Sequence, residues 1–98
     1  MKELAKVVHA GAKAQEDGRI HVSLTAEVDD VASKRVYASY SRYNNVLRVQ
    51  TWEEQTSAST GKRQGKGLKR IIFEVPPGNP VTKMIVFSRE NDLEEDIN

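Results

Sequence analysis

The sequence predicts an α+β domain, a small antiparallel sheet of about four strands packed on one or two helices. Three observations predict it. Apolar residues repeat at helical spacing over residues 2–15, strict alternation marks residues 19–28, and β-branched-rich segments at 68–75 and 81–88 flank a Pro-Gly turn.

The first element reads as an amphipathic helix. Leu4, Val7, Val8, Gly11 and Ala12 fall on one stripe, and Lys2, Glu3, Lys6, His9 and Lys13 fall elsewhere. Gly11 weakens that helix by about 1 kcal/mol against alanine. Glu16-Asp17-Gly18 ends it with a glycine suited to a left-handed C-cap. Residues 19–28 then alternate cleanly. Ile20, Val22, Leu24, Ala26 and Val28 share one face, and His21, Ser23, Thr25 and Glu27 share the other, which is the pattern of a half-buried strand.

Residues 30–44 support two readings. As a helix, the segment is capped by Asp29 or Asp30 and ended by Asn44-Asn45, with Ala32, Val36, Tyr40 and Tyr43 in one stripe. As a strand, Val36, Ala38 and Tyr40 alternate with Tyr37, Ser39 and Ser41, and composition favours this reading. The cap signals at both ends tip the balance to helix. Residues 46–54 read as extended, and Gln55 to Gly67 as a long polar loop without apolar periodicity. Pro77-Gly78 suits the centre of a type II turn, so the two segments around it are expected to form a hairpin. Residues 1–89 thus make one domain, and 90–98 an acidic tail that Ser88 could cap as a short helix or that frays.

Bulk properties narrow the function. A chain of 98 residues has room for one domain. It has no cysteine, which excludes disulfides and thiolate chemistry and fits a reducing, cytoplasmic setting. The N-terminus lacks the apolar run of a signal peptide, and no apolar run is long enough to span a membrane as a helix. His9 and His21 have no ligand-like spacing with carboxylates, so neither metal nor other cofactor is expected. Ser59-Thr60-Gly61-Lys62 is no phosphate loop, because Thr56 stands where the first glycine belongs and Arg63 where Ser or Thr belongs. No residue constellation meets the requirements of a catalytic site, and the chain is expected to be non-catalytic.

The net charge of +1 conceals a segregation. Residues 1–30 carry net −2, residues 31–73 net +7 and residues 74–98 net −4. Lys62, Arg63, Lys66, Lys69 and Arg70 cluster with Gly61, Gly65 and Gly67 between them, and glycines let a backbone approach a polyanion closely. Arg42, Arg48, Tyr37 and Trp52 lie in the same basic stretch, where aromatic faces beside basic groups suit single-stranded nucleic acid. These nine residues are the candidate nucleic-acid-binding set, with RNA or a single strand as the expected ligand. The alternative is a protein-interaction or inhibitor module, of the kind encoded by phages and mobile elements. In it the basic stretch meets an acidic protein surface. A variant has the acidic tail covering the basic stretch within one chain or across a homodimer.

Gly65 to Phe73, then a turn, then Met84 to Asp92 resembles the end of RelE/HigB-type toxins, in which a basic Gly-rich segment leads into a β-hairpin and a polar tail. The resemblance covers about a third of the chain and implies an mRNA partner. Residues 1–30 do not follow the family's opening strand and helical hairpin, and no cutting residues carry over.

Overall fold

The computed structural model describes residues 2–29, 34–56 and 65–97, and these form an all-β structure. Eight strands follow in order: β1 (Lys2–Leu4), β2 (Lys6–Ala14), β3 (Ile20–Val28), β4 (Lys34–Tyr43), β5 (Val46–Gln55), β6 (Gly67–Val75), β7 (Lys83–Phe87) and β8 (Leu93–Asp96). The described residues contain no helix, so the α+β expectation is corrected to a two-sheet β structure.

One sheet has three strands, ordered β2-β3-β6. The other has five. β4 pairs with one edge of β5, while β1 and β7 share the opposite edge, and β8 follows β7. All pairs are antiparallel except β5 with β7. The inner faces meet in a core that includes Val22 and Leu24 from β3, Leu47 and Val49 from β5, and Met84 and Val86 from β7. The chain crosses between sheets at Ala5, whose amide bonds Thr51 O at 2.8 Å and whose carbonyl accepts from the Arg89 amide at 3.0 Å. Buried Ser88 stitches that corner, its hydroxyl accepting from the Val7 amide (2.9 Å) and donating to the Ala5 carbonyl (3.3 Å).

The expected first helix is β1 and β2, and its helical spacing has an identifiable source. The β2–β3 register shifts between Val7 and His9, which is the mark of a β-bulge. The inward residues Ala5, Val7 and Ala10 are therefore two and then three positions apart, and a strand so interrupted imitates one turn of helix. Gly18 is at a positive φ of 92°, in the β2–β3 turn rather than at a helix end. The left-handed region that suits a C-cap equally suits a hairpin turn.

The expected second helix over 30–44 is β4 over its described part, and residues 30–33 lie outside the described residues. Tyr43 pairs with Val46, leaving Asn44-Asn45 as a two-residue hairpin turn with Asn44 at φ 56°. Asparagine tolerates that conformation at low cost, which is why the same dipeptide looked like a helix stop. The strands at 20–28 and 46–55 agree with expectation. The hairpin expected around Pro77-Gly78 does not form. β6 pairs with β3 in one sheet and β7 with β5 in the other. The Pro-rich segment is a crossover, and Arg42 holds it by donating to the carbonyls of Pro76 and Asn79. Within the acidic tail, Leu93–Asp96 is ordered as β8, with Glu95 opposite Met84 and Leu93 opposite Val86.

Thr51 sits wholly buried on the inner face of β5, and its hydroxyl is the single buried side-chain polar atom without a hydrogen-bond partner among the described residues. Valine has the same shape and no hydroxyl to desolvate. Thr51→Val is expected to raise stability by about 1 kcal/mol, read as a shifted urea midpoint with unchanged slope.

Candidate nucleic-acid interface

Strand parity sorts the side chains of the five-stranded sheet. Leu47, Val49, Thr51 and Glu53 of β5 are buried on its inner face. Arg48, Gln50, Trp52 and Glu54 therefore face outward, and the register places Ser41, Ser39, Tyr37 and Arg35 of β4 directly beside them. The Asn turn extends the same face to Tyr43 and Val46, and the parallel partner β7 adds Ile85 and Phe87.

Four of the chain's six aromatic residues, Tyr37, Tyr43, Trp52 and Phe87, thus share one outer face. The other two, Tyr40 and Phe73, stack at 5.4 Å between ring centroids with planes 9° apart, where β4 meets β6. Among the described residues, the outer face of the three-stranded sheet carries no tyrosine, tryptophan or phenylalanine.

Two guanidinium groups lie among these rings. Arg35 sits over Tyr37 with 5.1 Å to the ring centroid, and Arg48 over Tyr43 at 5.0 Å. The Tyr37 hydroxyl donates to Glu54 Oε2 at 3.4 Å, and the Trp52 indole N–H donates to Ser39 Oγ at 3.2 Å, which fixes both rings. Ser39, Ser41, Arg48, Gln50 and Phe87 line a shallow depression of about 270 Å³, to which Tyr40 also contributes. The depression offers a flat apolar wall, hydroxyl and amide groups and a cation together. Its acidic limits are Glu54 at one end and Glu94 and Asp96 of β8 along the far edge.

The nine candidate residues divide among different places. Tyr37, Trp52 and Arg48 come together on this face. Arg42 faces inward and is committed to the 76–79 segment. Lys69 faces inward from β6 and donates to the Lys34 carbonyl, tying the two sheets together. Lys66 and Arg70 are exposed at the start and on the outer face of β6. Lys62 and Arg63 lie outside the described residues. Sequence reading passed over Arg35, Tyr43 and Phe87 as interface residues. The strand alternation of 34–43 contains the signal for the first two, and the alternation of Met84 and Val86 with Ile85 and Phe87 contains it for the third.

The ion pairs tie the two acidic ends to each other and neutralise Glu53, an acid of the basic middle. Glu74 pairs with Arg19 at 3.1 Å, Lys6 with Glu27 and Glu90 at 3.7 Å each, and Glu53 with both Arg89 and Lys34. Among the described residues, no cluster of three or more histidines or carboxylates could hold a metal ion, and no helix is long and apolar enough to cross a membrane.

No family model, curated protein or solved structure matches the chain. The toxin resemblance requires a hairpin from the segments now seen as β6 and β7, and these belong to different sheets.

Proposed function

We propose that this protein is a non-catalytic binding module for single-stranded nucleic acid, RNA or DNA, and that the β4–β5 outer face is the binding surface. One observation carries the reading: Tyr37, Tyr43, Trp52 and Phe87 share an exposed sheet face with Arg35 and Arg48. Base stacking on aromatic side chains contributes about 1–3 kcal/mol per base and tolerates any sequence, while arginine supplies both stacking and phosphate contact. From Tyr37 to Tyr43 the face is roughly 20 Å long at ~3.3 Å per residue. That length suits a short single strand lying along β4 and β5. The acidic β8 edge repels phosphate and sets the side along which the strand runs. The absence of cysteine supports a reducing, cytoplasmic setting.

Anisotropy of a labelled single-stranded oligonucleotide tests the reading. Trp52→Ala is expected to weaken binding roughly tenfold to a hundredfold. Arg48→Ala is expected to lower the salt slope by about one. Both variants should keep the wild-type melting profile within a few degrees, because both side chains lie on the outer face. Affinity and salt slope unchanged in both would overturn the sheet-face reading. Loss confined to Lys62→Ala, Arg63→Ala and Lys66→Ala would return the contact to the basic stretch 61–70 of the sequence.

A second reading, a protein-interaction module, is favoured by a different observation. Val8, Leu68 and Ile72 are large apolar residues left exposed away from the aromatic face. Recovery of one stoichiometric protein partner, insensitive to nuclease and to Trp52→Ala, would support it over the first.

A further inference from the structure

We propose that β6 pairs antiparallel with β6 of a second copy of this chain, on a two-fold axis through Ile72, to form one continuous six-stranded sheet. The proposal does not depend on the nucleic-acid reading. β6 is an edge strand: it pairs with β3 on one side and with no strand of the described residues on the other. A nine-residue open edge is a template for strand addition, and natural proteins usually blunt such edges. Inward-pointing Lys69 blunts this one in part, but its outer face keeps two large apolar residues in solvent. Leu68 is 65% and Ile72 55% exposed on its outer face.

The outer face of β6 reads Leu68, Arg70, Ile72, Glu74, and its last three residues are self-complementary about Ile72. In an antiparallel pair, directly opposite residues share a face. A two-fold axis at Ile72 sets Ile72 against the partner's Ile72. It sets Arg70 against the partner's Glu74, and Glu74 against the partner's Arg70. Opposite charges facing across strands stabilise a pair, whereas like charges destabilise it. On the inner side the same register sets Ile71 against the partner's Phe73, and Phe73 against the partner's Ile71. Moving the axis to Ile71 would set Arg70 against the partner's Ile72 and Leu68 against the partner's Glu74. The charges therefore select the Ile72 register.

The opposite sheet has a place for the added strand. The inner face of β4 is incompletely covered, with Val36 and Ala38 only half-buried and Tyr40 43% exposed. A strand added to β6 would extend the three-stranded sheet on the side where β4 meets β6. It would bring the partner's Ile71 and Phe73 toward that uncovered face. Each two-fold-related half does the same for the other, which is the isologous closure of a C2 dimer.

Sedimentation velocity on the full chain tests this. Wild type is expected at twice its 11.0 kDa mass at high micromolar concentration. Ile72→Lys, which places two ammonium groups on the axis, is expected to be monomeric with an unchanged far-ultraviolet spectrum. Arg70→Glu alone and Glu74→Arg alone are each expected to be monomeric, since each sets like charges across the pair. Mixed in equal amounts, these two variants are expected to form a heterodimer, a rescue that general destabilisation cannot produce. A monomeric wild type would overturn the proposal. So would a dimer that Ile72→Lys leaves intact, or a mixture of the two charge variants that stays monomeric.

Discussion

Arg89→Ala is expected to destabilise the protein by about 3 kcal/mol. Glu53 lies on the inner face of β5 with its side chain 4% exposed. A carboxylate there must be compensated, because desolvation of an unpaired charge costs several kcal/mol. Arg89 bonds it directly and also reaches Glu3 at 3.1 Å and the Leu4 carbonyl at 3.0 Å. One side chain thus joins β1, β5 and the β7–β8 connection. Lys34, at 3.7 Å, remains as a counter-charge after the substitution and holds the loss to the lower end of the range for breaking a buried pair. Urea unfolding measures it. The double variant Arg89→Ala/Glu53→Leu is expected to recover part of the loss, since it removes the orphaned charge. Equal stability of wild type and Arg89→Ala would show that Glu53 is not held in this way.

Leu24→Ala is expected to cost about 3–5 kcal/mol and to lower Tm by roughly 15 °C or more. Leu24 is fully buried at the middle of β3, between β2 and β6 and facing the other sheet. Few side chains can move into the space it leaves, so the cavity term adds to the lost transfer energy. Its chain neighbour Ser23 faces outward, and Ser23→Ala is expected to change stability by no more than about 0.5 kcal/mol. A large effect at Ser23 and a small one at Leu24 would place the wrong face of β3 in the core.

Legibility differed by element, for physical reasons. β3 was plain because its two faces see different solvents, so burial writes period two into the sequence. β2 was obscured by its bulge, which breaks that period at the position where a helix would repeat. β4 was obscured because Asn serves helix ends and hairpin turns alike, and because its inner face is only half covered. The parallel β5–β7 pairing left no local trace, since it depends on a long excursion through β6 and the 76–82 segment. Within the candidate interface, the aromatic and basic composition of the middle of the chain was legible as an ingredient list. Which of those residues share a face was not, because that depends on the Tyr37–Trp52 register and on reading 34–43 as strand. Arg42 and Lys69 look like free cations in the sequence, and the fold commits them to backbone carbonyls.

Trp52 is the only tryptophan in the chain and lies within the proposed binding surface, so its intrinsic fluorescence reports on that surface without a label. The most direct measurement is a titration of the wild-type protein with a single-stranded oligonucleotide at low salt, followed at the Trp52 emission. Stacking of a base near the indole predicts saturable quenching that added salt reverses, and a weaker response to a duplex of the same length. Emission that stays constant through the titration, or quenching that is equal for duplex and single strand, would contradict the account.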